Sequence, residues 1–321
     1  MQTPKKILVC PLNWGLGHAT RCVPLIREQL KAGNEVVIIA DGYPLKFLRQ
    51  EFPDLRFIEY SSYPIHYSKK KTQVFILIKF IPKLLWFIRR EHLWLQKLIQ
   101  NEHFDTVISD NRFGMWNKAI HSIYITHQVM IKMPKGLKLL EPVGYWLHKK
   151  IIHKYDECWI PDYEANGDLS GDLSHKYALP RNARFVGILS RFSGIKKVHP
   201  DNTYENVVIL SGVEPQRTLF EQKMIARFRD TKEKTLMIVG KPSEKFLSEN
   251  IGQITLMTHL EDEKLASCLK GCNKIVSRSG YSTVMDLEAL QCLKKAEFHP
   301  TPGQTEQEYL ADYLLQEGYI H

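Results

Sequence analysis

The stretch Pro11-Leu12-Asn13-Trp14-Gly15-Leu16-Gly17-His18-Ala19-Thr20-Arg21 decides how this chain is read. The apolar run Ile7–Cys10 before it reads as a short strand. After it, Arg21 to Ala32 carries Val23, Ile26 and Leu30 at helical spacing, closed by Gly33 as C-cap. Two glycines let the turn's backbone approach a ligand, a histidine stands where the helix begins, and Arg21 follows one turn later. Strand, glycine turn and helix N-terminus make a sensible anion or cofactor site.

The pattern continues outward from that turn. Glu35–Ala40, Leu55–Glu59, Thr106–Ser109, Ser122–Thr126, Glu157–Ile160 and Arg184–Val186 read as strands, with helical stretches such as Pro44–Gln50 between the first of them. Strand–helix–strand spacing predicts a parallel sheet covered on both faces. Asp110-Asn111 and His127 fall just past strand ends, where open α/β sheets hold ligands. Ser190 to Asn202 lacks apolar periodicity and reads as a linker. The pattern then restarts with the strand Asn206–Leu210, the small-residue loop Ser211-Gly212 and a helix over about Thr218–Arg229. Strands at Lys234–Val239, Ile254–Met257 and Lys274–Ser277 follow, and Arg278-Ser279-Gly280 with Thr283 opens a helix over Val284–Leu290. A Ser-Gly turn at a helix start offers free N–H groups to a phosphate. Asp286 is placed in the first turn of that helix, where a carboxylate suits the dipole and can accept from a sugar hydroxyl. The segment Lys294–His299 leads to the polar turn Pro300–Glu308 and a last helix over Gln307–Gln316. The expected division is 1–190, a linker at 191–203, and 204–321.

Bulk properties narrow the function. At 321 residues the chain favours two domains over one core. Six cysteines lie singly at 10, 22, 158, 268, 272 and 292, with no CxxC pair and no zinc-like spacing, so no metal is expected. Met1 to Lys6 runs into the first strand without an apolar signal segment, and the reading is a reduced cytosolic chain. The net charge of +9 suits an anionic partner, but no compact nucleic-acid module is present. Val74–Phe87 is apolar and aromatic, too short to span a bilayer, interrupted by Lys79, Pro82 and Lys83, and flanked by Lys69–Lys71 and Arg89-Arg90. Residues 69–90 therefore suit either plain packing or peripheral contact with an anionic membrane.

The chain resembles the two-Rossmann-domain (GT-B) glycosyltransferases, in particular the branch of MurG-type N-acetylglucosaminyltransferases (glycosyltransferase family 28). Gly15-Leu16-Gly17-His18, Arg278-Ser279-Gly280 with Thr283-Val284, and Gln304 with Gln307-Glu308 carry the resemblance. It implies an N-terminal domain for the acceptor and a C-terminal domain for a nucleoside-diphosphate sugar, facing each other across a cleft. On the donor side it implies Ser211, Gly212, Arg217, Arg278, Ser279, Gly280, Thr283, Asp286, Gln304, Gln307 and Glu308. Asp286 stands where the family has a ribose-holding glutamate, and Glu308 replaces a second glutamine. His18 stands where the branch has the histidine after its glycine loop. Trp14, Gly15, Gly17, Arg21, Asp110, Asn111 and His127 are placed on the acceptor side. The family often continues into a final helix crossing back over the first domain. This chain ends at His321, which leaves that helix open.

The implied reaction is inverting, metal-independent transfer from a UDP-linked sugar to an acceptor hydroxyl, with His18 as general base and no resident cofactor. The alternatives are a sugar-nucleotide hydrolase or epimerase, a non-catalytic nucleotide-sugar binder, and a dinucleotide oxidoreductase. The last has Asp41 after the second strand in its favour and the absence of GxGxxG against it.

Overall fold

A computed structural model describes residues 3–61, 74–133, 135–165, 167–195, 197–240 and 248–321, with the side chains of 74–81 and 135 outside the description. By internal packing the chain forms two units, one of Met1–Asn13 with Leu25–Ile188 and one of Trp14–Pro24 with Leu189–His321. Strands β1 (Lys6–Pro11), β2 (Glu35–Ala40), β3 (Arg56–Glu59), β4 (Thr106–Asp110), β5 (His121–Ile125), β6 (Glu157–Ile160) and β7 (Ala183–Phe185) form the first sheet. Its order is β3-β2-β1-β4-β5-β6-β7 and every pairing is parallel. Helices α1 (Gly17–Lys31), α2 (Gly42–Glu51), α3 (Val74–Asn101), α4 (Glu141–Ile152) and the short α5 (Asp172–His175) accompany these strands.

The unbroken apolar runs of β1 and β2 follow from this setting, because a central parallel strand is covered on both faces. Leu8, Cys10, Val37 and Ile39 pack with Leu95, Phe104 and Met115. A second cluster joins Tyr124, Val129, Ile152, Tyr155 and Ile160. A fully buried Leu or Ile contributes about 1.5–3 kcal/mol relative to exposure.

In the second unit β8 (Asn206–Ile209), β9 (Thr235–Ile238), β10 (Ser248–Ile251), β11 (Ile254–Met257), β12 (Lys274–Ser277) and β13 (Ala296–Phe298) lie in the order β10-β11-β9-β8-β12-β13. All pair in parallel except β10, which joins β11 in an antiparallel hairpin. The sequence reading has no counterpart to β10, since Ser248-Glu249-Asn250 is polar and exposed. Helices α6 (Gln216–Phe228), α7 (Asp262–Gly271), α8 (Tyr281–Ala289) and α9 (Thr305–Gln316) complete this unit.

Two helix starts affect the site. Helix α1 begins at Gly17, so His18 stands in its first turn and Arg21 one turn on, as the sequence predicts. Helix α8 begins at Tyr281 rather than at Val284, so Asp286 is in its second turn, beyond the reach of the dipole argument. Among the described residues no helix is long and apolar enough to cross a membrane. Lys69–Lys71 lie outside the described residues.

Candidate functional site

The second sheet sets the geometry. Strand β8 lies between β9 and β12, so the chain order reverses beside it, and open α/β sheets take ligands past the C-terminal ends of strands at such a point. The loop after β8 leads to α6, the loop after β12 to α8, and the loop after β13 to α9. Their N-cap residues Pro215, Gly280 and Gln304 make no side-chain cap bond of their own. Three helix N-termini thus stand past neighbouring strand ends; that of α6 already holds a carboxylate, Glu214 accepting from Thr218 N, and those of α8 and α9 are suited to negative charge.

The glycine turn after β1 packs within this same unit. Gly15 has φ +75, and a Cβ there would lie 3.7 Å from Gly212 Cα. A Cβ on Gly17 would stand 2.3 Å from Ser282 Oγ in the first turn of α8. The turn's small residues therefore let its backbone lie against the loops after β8 and β12. Trp14, partly buried, precedes them.

His18 is 9% exposed, and Arg21, one turn on, is 2% exposed. Arg21 Nη2 lies 2.8 Å from His18 Nδ1. A guanidinium only donates, so Nδ1 accepts and the neutral ring carries its proton on Nε2. In this arrangement the outer nitrogen of His18 is a donor.

The remaining expected residues fall into two groups. Gly212, at φ +106, and Gly280 shape the turns ahead of α6 and α8, and Ser211 and Thr283 are partly exposed beside them. Gln304 stands at the N-cap of α9. The others are engaged inward. Ser279 Oγ donates to Gln307 O at 2.7 Å, while Gln307 Oε1 accepts from Thr301 N at 2.8 Å. Glu308 accepts from Gly303 N and so closes the turn after β13. Arg217 donates to Glu214, Glu221 and Val239 O, and Arg278 to three backbone carbonyls. As the structure stands, both guanidinium groups hold loops rather than offer themselves to a diphosphate.

Asp286 accepts from Ser190 Oγ at 2.6 Å, and its second oxygen lies 3.6 Å from Arg191 Nε. Burial raises its pKa to about 6 against the opposing pull of Arg191. Arg191 also approaches Asp262 at 3.4 Å. Ser190 and Arg191 were expected in or beside the linker. No periodicity or motif marks them, and only the fold brings them to Asp286.

In the first unit Asn111 and His127 lie past the ends of the neighbouring strands β4 and β5, whereas Asp110, expected just past the strand, is the last paired residue of β4. Asp110 is fully buried and pairs with Pro11 and Ile125. Asn111 adopts φ 55 and its amide meets Tyr124 Oη at 2.9 Å, with His148 Nε2 3.1 Å beyond. Burial holds His148 neutral, its pKa lowered to about 4. Beneath them Arg112 and Glu91 form a fully buried ion pair at 2.9 Å. Asp162, Asp168 and His175 also converge, but Asp162 already accepts from Tyr163 N, Leu169 N, Ser170 N and Ser170 Oγ, the pattern of a loop-holding carboxylate.

The architecture matches solved structures end to end. The glycosyltransferase of kitacinnamycin superimposes with a TM-score of 0.60 at 13% identity, over 100% of this chain and 86% of its own. The chain has the GT-B fold. LpCGTa in complex with UDP gives 0.56 at 12% identity over 99% and 84%, and the MurG of Acinetobacter baumannii gives 0.51 at 12% over 99% and 84%. Among curated proteins, an uncharacterized glycosyltransferase of Methanosarcina acetivorans is 23% identical over 98% of this chain and 84% of its own length. A second from the same organism is 26% identical over 98% and 82%. No protein-family model matches the chain.

Proposed function

We propose that this GT-B chain is a glycosyltransferase of the MurG-type branch, transferring a sugar from a UDP-linked donor to an acceptor hydroxyl with inversion and without a metal ion. The observation that carries the reading is the edge of three helix N-termini at the strand reversal of the second unit, with the glycine turn of β1 packed against it. The full-length likeness to proteins named glycosyltransferases supports it. N–H groups at Ser211-Gly212 and Ser279-Gly280 stabilise the charge that develops on the departing diphosphate. Asp286 is assigned to the ribose and Gln304 to the donor sugar, with Gln307 and Glu308 shaping the turn ahead of α9.

His18 takes the acceptor proton. That role needs the other tautomer, with Nε2 free and Arg21 drawn off Nδ1, and an anionic ligand attracting the guanidinium supplies the change. In the first unit Asn111 and His127 are assigned to the acceptor.

A thermal-shift panel tests the donor. UDP is expected to stabilise the protein by about 2.7 kcal/mol at 100 times its Kd. No response to any nucleoside diphosphate removes the reading. Product analysis with the matching sugar nucleotide then separates transfer, seen as a glycoside, from hydrolysis, seen as free sugar with nucleoside diphosphate.

The second element is peripheral membrane contact through 69–90. In α3 its supports are Leu85 and Trp86, more than half exposed, with Arg90 beside Trp86. The chain should co-sediment with phosphatidylglycerol vesicles at low salt and be released as salt rises. Failure to bind at low salt ends this part of the proposal.

A further inference from the structure

Two buried arginines of the second unit are treated differently. Arg217, 3% exposed, is neutralised by Glu214 and Glu221. Arg278, 6% exposed at the end of β12, has no carboxylate partner among the described residues. Its Nη1 donates to His299 O at 3.0 Å and Pro300 O at 2.9 Å, and its Nη2 to Gln216 O at 3.2 Å. Its guanidinium carbon stands 4.2 Å from the centroid of the Phe220 ring, and its Nε finds no partner. Carbonyls and a ring face supply partial charges only. Burial pulls the group down to about 10, and no acid offsets that pull. A desolvated cation without a counter-ion is costly to keep.

The position of the bonded carbonyls gives the cost a purpose. His299 and Pro300 leave β13 toward α9, and Gln216 is the first residue of α6. One planar group thus ties the loop of β13 to the start of α6, while its own strand end leads into α8. We infer that Arg278 is a positioning residue of the anion site and that the ligand's diphosphate is its missing counter-ion. It acts by holding two of the three helix N-termini in register and by adding a fixed positive charge behind them. The phosphate contacts themselves belong to the backbone N–H groups. Water screens the charge poorly in so buried a position, so it acts at a distance.

This inference rests on the donor reading above, and calorimetric titration separates the two. Wild type, Arg278→Met and Arg278→Lys are titrated with UDP and with uridine. Arg278→Met should weaken UDP by about 30-fold or more and uridine by no more than about threefold. Arg278→Lys keeps the charge but not the planar fork, and should fall between. Equal losses for UDP and uridine would mark a purely structural role and overturn the inference, as would unchanged UDP affinity. Should neither variant fold, the wild-type protein with inorganic pyrophosphate decides. A rise in Tm that shrinks with added salt supports the inference, and no rise overturns it. A wild type that ignores UDP yet is stabilised by pyrophosphate would sink the donor reading alone.

Discussion

Replacing His18 by alanine is expected to lower turnover by roughly 10²-fold or more while leaving UDP affinity within about threefold. The asymmetry follows from where the side chain sits. The N–H groups proposed to hold the phosphates lie at the starts of α6, α8 and α9, whereas His18 is on α1. Arg21, on its own helix, lies 2.8 Å from the ring's Nδ1. The substitution deletes the group proposed to take the acceptor's proton and no group proposed to hold the phosphates. Steady-state rates beside UDP titrations check this. Unchanged turnover would take His18 out of the base role, and an equal fall in UDP affinity would make it a donor-site residue.

Replacing Glu91 by alanine should destabilise the first unit by about 3–5 kcal/mol. Glu91 on α3 is 1% exposed and Arg112 after β4 is 0% exposed, so the carboxylate is removed where water cannot replace it. Glu91 also accepts from Gly114 N, and that backbone donor loses its partner too. The pair Glu91→Leu with Arg112→Met removes both charges together and should cost far less than the single change, because no buried ion is left behind. Urea denaturation of the three proteins measures the difference. A single substitution costing under about 1 kcal/mol would show that the interior relaxes enough to admit water. The loop held by this pair begins at Asn111, so the single variant should also impair acceptor use before it unfolds the chain.

What could be read in the sequence was what depends on local pattern. The unbroken apolar runs of β1 and β2 announced central parallel strands, and Gly33 closed α1 at φ +79. The small-residue turns after β8 and β12 fell at strand ends because turn chemistry is local. The start of α8 lies three residues before the expected one, because Tyr281-Ser282-Thr283 have modest helix propensity and tertiary packing carries the first turn. Strand β10 escaped notice because an exposed edge strand shows no hydrophobic alternation.

Side-chain roles in the site were the least legible. Arg217 and Arg278 looked alike in sequence, both basic residues near phosphate-type loops. Only the fold shows one held by two carboxylates and the other by three carbonyls. The Arg21–His18 contact lies within one helical turn and was open to inspection. Its effect on the tautomer needed the rotamers of both side chains.

The approach of Gly17 to Ser282 bears on the order in which the protein is made. The two residues are separated by most of the chain, yet the turn bearing His18 belongs by packing to the unit built from the C-terminal half. During synthesis the strands of the first sheet leave the ribosome well before Ser282 exists, and domains fold as units in that order. A nascent chain can thus close its first sheet while the turn after β1 still lacks its packing partner. The turn bearing His18 is completed only when the α8 segment arrives, so a chain cut short before it would carry a folded first sheet with this turn unassembled.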